Sequence, residues 1–292
     1  MLRGTYTAIV TPFADGEVDY DRLAANVEYQ VEHGVDGVVP VGTTGESPTL
    51  SHDEHRLVIE RTVEAAAGRC QVIAGTGSNA TSEALSLTRH AAEAGATAAL
   101  MVNPYYNKPS QEGLYRHFMT VADAVDLPIC LYNIPGRTNV TMSADTVVRL
   151  NEHPNVVAIK EATGSLDLAS EIAASCDIAI VSGDDSLTLP LMSVGGVGVV
   201  SVLSNLLPRR VKALVDAAAG GDFTLAKKLH LELFALCKGC LTLATNPVPI
   251  KAAMALAGRD SGELRLPLVE LDEAGRNALA GLLDPELAAA RA

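Results

Sequence analysis

Eight short apolar runs rich in β-branched residues punctuate the chain, at residues 5–10, 37–41, 71–74, 98–102, 128–132, 156–160, 178–181 and 197–200. Between them, apolar positions recurring every three or four residues predict helices at 20–32, 52–67, 82–94, 112–124 and 144–151. Strands that read as continuous apolar runs are buried on both faces, the signature of a parallel sheet covered by helices. Their spacing, roughly 20–35 residues, fits consecutive βα units. Ser51 and Glu54 have capping-box spacing at the start of the second helix.

Eight alternations without a long interruption favour an α/β fold of the closed (β/α)8 kind, a TIM barrel, over an open doubly wound sheet. The dinucleotide signal of such sheets is missing, because Gly195-Gly196-Val197-Gly198 runs into a strand instead of opening a helix. A tight turn and close packing are expected there. After Pro208 the pattern is helical, first to about Ala219 and then at 225–243, 249–257 and 273–282. We therefore expect a barrel domain over residues 1–222 and a C-terminal helical extension over 223–292.

Composition narrows the function classes. A chain of 292 residues can bury a substantial core without disulfides or metals. Its formal net charge of −13, with no basic cluster to offset it, argues against nucleic acid as a partner. No apolar segment reaches signal-peptide or transmembrane length, and Pro12 and Asp15-Gly16 interrupt the N-terminal run, so a soluble, cytoplasmic protein without membrane contact is expected. The five cysteines are an odd, scattered set that reads as reduced thiols. Cys237-Lys-Gly-Cys240 matches C-x-x-C, but with no second pair it reads as helix packing.

In (β/α)8 barrels the functional groups sit at the C-terminal ends of the strands. Those positions here carry Gly42-Thr43-Thr44-Gly45-Glu46, Asn103-Pro104-Tyr105-Tyr106, Tyr132-Asn133-Ile134-Pro135-Gly136-Arg137-Thr138 and Lys160. Of the lysines at 108, 160, 212, 227, 228, 238 and 251, only Lys160 ends an apolar strand-like run. Desolvation at such a mouth disfavours the ammonium and frees an amine to attack a carbonyl, and a nearby tyrosine hydroxyl could shuttle the protons of imine formation. Each element also has a plainer reading. Lys160 could snorkel to solvent, Tyr132 could be a core aromatic, Gly-Thr-Thr-Gly could be a turn and Arg137 a solvated charge. Asp184-Asp185 resembles a metal-binding acid pair, yet without a histidine beside it helix capping is the better reading.

Taken together, Thr11-Pro-Phe13, Gly42-Thr-Thr-Gly-Glu46, Tyr132-Asn-Ile-Pro135, Ile159-Lys-Glu-Ala162, Ser182-Gly-Asp-Asp185 and Asn246-Pro-Val-Pro-Ile-Lys251 resemble the class I pyruvate aldolase superfamily of dihydrodipicolinate synthase and N-acetylneuraminate lyase. The similarity spans essentially the whole chain. Within it, Arg137 resembles the arginine with which the synthases hold the carboxylate of aspartate 4-semialdehyde, a residue that the sugar-acid lyases usually lack.

The resemblance implies a Schiff base between Lys160 and pyruvate, with Tyr132, Thr43 and a partner-chain Tyr106 as proton relay. It further implies that Thr44 binds the pyruvate carboxylate and that backbone at Gly183 and Val200 lines the pyruvate end. No PLP, nucleotide or metal cofactor is implied. The expected assembly is a homo-oligomer, a tetramer built as a dimer of dimers. His52, His55, Asn79, Glu83 and Tyr105 resemble the pocket through which lysine, the pathway's end product, inhibits feedback-sensitive synthases. Two other readings stay open on the residues alone. One is a related lyase cleaving a 2-keto-3-deoxy sugar acid or N-acetylneuraminate, and the other is a non-catalytic barrel that binds a ligand.

Overall fold

The computed structural model describes residues 2–291, with side chains as far as Leu283. Its strands are β1 (Gly4–Ala8), β2 (Phe13–Ala14), β3 (Glu17–Val18), β4 (Gly37–Val39), β5 (Gln71–Gly75), β6 (Ala98–Val102), β7 (Ile129–Asn133), β8 (Val156–Glu161), β9 (Ala179–Ser182) and β10 (Gly198–Ser201). All but β2 and β3 form one closed parallel barrel in the order β1-β10-β9-β8-β7-β6-β5-β4, with β4 pairing back onto β1. The fold is a TIM barrel.

Around it run α1 (Tyr20–Glu32), α2 (His52–Ala66), α3 (Thr81–Glu93), α4 (Gln111–Ala124), α5 (Pro135–Thr138), α6 (Ala144–Asn151), α7 (Leu166–Ser175), α8 (Thr188–Met192) and α9 (Pro208–Ala219). Three further helices follow, α10 (Phe223–Thr242), α11 (Val248–Leu256) and α12 (Glu273–Arg291). The capping box of α2 is present, with Ser51 Oγ accepting from Glu54 N at 3.2 Å and Glu54 Oε2 accepting from Ser51 N at 2.8 Å.

Alternation along each strand separates two apolar layers. Tyr6, Val39, Ile73, Leu100, Cys130, Tyr132, Ala158, Val181 and Val200 form one buried cluster inside the barrel. Met101, Leu131 and Ile159 face outward and pack in a second cluster with Val58, Leu114, Phe118 and Val147 from the helices. A third joins Val199 of the last strand and Leu214 of α9 to Leu236, Ile250 and Met254, so the C-terminal helices share a core with the barrel. Cys237 and Cys240 sit in that core, where burial pushes both thiols up, Cys240 to about 12.

Three differences from the sequence reading have local causes. Asp15-Gly16 does more than interrupt the first run: with φ of 53° and 83° these residues make the tight turn of the β2–β3 hairpin. Helix α7 escapes the periodicity analysis because only Ala169 and Ile172 are buried over its ten residues. Helix α8 is missed because it is only five residues long. The glycine run 195–198 does serve close packing, since a Cβ at Gly198 would lie 2.1 Å from the Gly4 carbonyl oxygen.

Candidate active site

Parallel pairing of β7 and β8 sets Tyr132 directly beside Lys160 on the inner face of the barrel. Both are buried, Tyr132 at 5% and Lys160 at 6% exposure, and Lys160 Nζ lies 4.3 Å from the centroid of the Tyr132 ring. The amine therefore sits against the negative face of an aromatic ring instead of snorkelling into water. Gly183, just beyond β9, closes over it. A Cβ there would approach Lys160 Cε to 3.0 Å and Ala162 Cβ to 2.7 Å, so only glycine fits. Its N–H donates to Glu161 O at 2.8 Å, and the neighbouring Val200 is buried in the barrel interior.

Loop 42–46 is braced from three sides. Thr11 Oγ1 donates to Gly45 O at 2.7 Å, and Glu46 N donates to Thr43 O at 3.1 Å. Glu46 has φ of 52°, and its side chain forms a fully buried ion pair with Lys251 at 2.8 Å. Lys251 Nζ also donates to Thr11 O at 2.9 Å and lies 4.2 Å from the Phe13 ring centroid. Lys251 is thereby a structural lysine. Thr44, 3% exposed, accepts from Asn246 Nδ2 at 3.0 Å, and Arg137 Nη2 donates to Asn246 O at 3.1 Å.

A cavity of about 470 Å³ opens at this end of the barrel, lined by Thr43, Tyr132, Arg137 and Asn246 on one side and by His52, His55, Glu83 and Tyr105 on the other. Among the described residues, Thr43 and Tyr132 share this wall without a direct hydrogen bond. Lys160 and Thr44 stand behind the lining, against Tyr132 and Asn246. Tyr106 is not brought to the lysine of its own chain: it is 92% exposed, with φ of 73°.

On the far side His52 Nε2 lies 2.7 Å from Glu83 Oε1, and Ser78 Oγ donates to Glu83 Oε2. His55 is buried, and burial holds its imidazole down at about 4, so it is neutral at pH 7. Asn79 precedes α3 instead of opening it and does not line the cavity; its carbonyl accepts from Asn107 Nδ2 at 2.8 Å.

The acid pair after β9 is structural. Asp184 caps a 3-10 turn by accepting from Ser186 N at 2.8 Å, and Asp185 accepts from the amides of Val202 and Leu203 at 2.9 and 3.1 Å. Sequence reasoning gave no separate role to Glu46, Lys251, Ser78 or Asn246. The signals were there: a carboxylate in a glycine loop, a lysine in an apolar helix and an asparagine before proline each need a partner once buried.

The dihydrodipicolinate synthetase family profile matches residues 1–285 of this chain. The chain belongs to the dihydrodipicolinate synthetase family. A relative from Pelobacter propionicus, a 4-hydroxy-tetrahydrodipicolinate synthase, is 53% identical over 285 residues, covering 97% of this chain and 98% of its own. The synthase of this name from Methanococcus maripaludis strain C6 is 51% identical, again over 97% of this chain. The crystal structure of dihydrodipicolinate synthase from Aquifex aeolicus matches with a TM-score of 0.96 at 49% identity, covering 98% of each chain. Membership of this family at such identity makes the chain an enzyme, a lyase with 4-hydroxy-tetrahydrodipicolinate synthase activity in lysine biosynthesis. The sugar-acid lyase and the non-catalytic barrel are set aside on the same findings.

Proposed function

We propose that Lys160 is the nucleophile of this synthase, forming the Schiff base with pyruvate from which carbon–carbon bond formation proceeds. The observation that carries the assignment is a buried amine at a strand mouth, packed on a tyrosine that lines the cavity. Its unprotonated nitrogen attacks the keto carbon, and the carbinolamine loses water to give an imine. Loss of a methyl proton yields the enamine, whose carbon attacks the aldehyde of aspartate 4-semialdehyde. The substrate's amino group then attacks the imine carbon, closing the ring and releasing Lys160. Trapping with pyruvate and borohydride tests the assignment.

In this reading Tyr132, Thr43 and Tyr106 of a second subunit move the protons, and Thr44 with backbone at Gly183 and Val200 holds the pyruvate end. A synthase from Acinetobacter baumannii, 43% identical with a TM-score of 0.95, is complexed with pyruvate, which supports that substrate here. The exposure of Tyr106, 92% in its own subunit, leaves its phenol available to a second subunit and supports a homo-oligomer; the tetramer built as a dimer of dimers is carried over from the family resemblance. Tyr106→Phe should lower turnover by about 10²-fold while leaving assembly intact, the ordinary scale for losing one proton-transfer group. Turnover and sedimentation measured on the same preparation check this, and a fully active monomer would contradict it.

Arg137 is assigned to the carboxylate of aspartate 4-semialdehyde. Its guanidinium is exposed and, among the described residues, held through Nη2 alone, which donates to Asn246 O and to Thr245 Oγ1 at 3.4 Å, leaving Nε and Nη1 for a bidentate carboxylate contact. Arg137→Ala should raise the KM for aspartate 4-semialdehyde by about tenfold or more while pyruvate trapping continues. Equal damage to both substrates would assign the arginine a structural role.

Lysine inhibition rests on the His52, His55, Glu83 and Tyr105 side of the cavity, with Asn79 beside it. A synthase from Cyanidioschyzon merolae, 40% identical with a TM-score of 0.94, is described with lysine bound. Glu83 supplies a carboxylate for a cationic side chain. Inhibition by millimolar-scale lysine is expected to disappear in Glu83→Thr, and a parent enzyme indifferent to lysine would refute the site. We further propose residues 1–222 as the catalytic unit, residues 223–292 as its helical extension, and a cytoplasmic location; among the described residues, no helix is long and apolar enough to cross a membrane.

A further inference from the structure

The two groups assigned to the two substrate carboxylates are tied to one residue. Asn246 lies between α10 and α11 and lines the cavity. Its side-chain Nδ2 donates to Thr44 Oγ1 at 3.0 Å, while its main-chain carbonyl accepts from Arg137 Nη2 at 3.1 Å. The remaining side-chain atom, Oδ1, is buried without a hydrogen-bond partner among the described residues. Among the described residues, the only hydrogen bond this amide side chain makes is therefore the one to Thr44.

That bond has a polarity. An amide nitrogen only donates, so Thr44 Oγ1 is the acceptor, and its single proton must point elsewhere. A hydroxyl held in this way is a committed donor, which is what a carboxylate requires. Were the amide turned over, Thr44 would donate to Oδ1 and have no proton left for substrate. Thr44 is 3% exposed, so solvent does not compete for the choice.

We propose that Asn246 is a positioning residue for both subsites through separable groups, its amide committing the Thr44 hydroxyl to donate and its carbonyl seating Arg137. The inference rests on the reading of Thr44 as the pyruvate carboxylate group. Because every substitution keeps the main-chain carbonyl, the two functions come apart in the kinetics.

Asn246→Ala should raise the pyruvate KM by about tenfold, the scale of one lost hydrogen bond, with the KM for aspartate 4-semialdehyde within about twofold of the parent. Asn246→Asp is close in size but can only accept, so Thr44 must donate to it. The pyruvate KM should then rise further than in Asn246→Ala. In Thr44→Val the amide has nothing to orient, so adding Asn246→Ala should change the pyruvate KM by less than about twofold.

Equal rises in both KM values, or full additivity with Thr44→Val, would overturn the proposal. If Thr44→Val alone leaves the pyruvate KM unchanged, the Thr44 assignment itself falls. If Thr44→Val raises it and neither Asn246 variant does, only the role of Asn246 falls.

Discussion

Pyruvate followed by borohydride is expected to inactivate the enzyme and to leave a reduced adduct on Lys160 alone. The other lysines are placed to fail. Lys251 is wholly buried and spends its nitrogen on Glu46 and Thr11, Lys212 pairs with Asp36 and Asp216, and Lys108, Lys227, Lys228 and Lys238 are exposed and do not line the cavity of about 470 Å³. Lys160→Ala should reduce turnover by about a thousandfold or more, as expected when a covalent nucleophile is removed. It should still fold, because the truncated side chain lies at the strand mouth against the cavity, not in the sealed interior between sheet and helices. Peptide mass mapping and a thermal melt of the variant check both halves. An adduct on Lys251, or no adduct, would sink the assignment.

The barrel was legible because its signal is local. Each strand announces itself as an apolar run, and eight runs with helical patterns between them leave little choice of topology. Lys160 was legible for the same reason, since its position in the run is a fact of the sequence. What remained hidden depends on segments brought together from afar. Glu46 and Lys251 are 205 residues apart and Thr44 and Asn246 are 202 apart, and neither pair follows from periodicity. The cavity is a further case: Tyr132, His55 and Glu83 lie on separate elements, and only barrel closure puts them around one space. Tyr106 is the reverse, a residue whose sequence neighbourhood places it at a strand end while its backbone turns it outward.

Lys251→Met is expected to be among the most destabilising single substitutions in the chain, although Lys251 touches no substrate. Both members of the Glu46–Lys251 pair are fully buried. With the lysine gone, the carboxylate would retain the Arg265 main-chain N–H, 3.2 Å from Oε2, and only the more distant Arg265 guanidinium as positive charge, having lost its one direct ion-pair partner among the described residues. Leaving one charge of a buried pair uncompensated costs about 3–5 kcal/mol, well above the value of the pair itself relative to apolar packing. For a domain of this size that corresponds to a fall in Tm on the order of 10 °C. Because Glu46 closes the loop that carries Thr43 and Thr44, turnover should fall even below the melting range. Adding Glu46→Gln to Lys251→Met removes the orphaned charge, so the double variant should be more stable than Lys251→Met alone. A melt of Lys251→Met matching the parent, or a double variant less stable than it, would show that the pair does not anchor the loop.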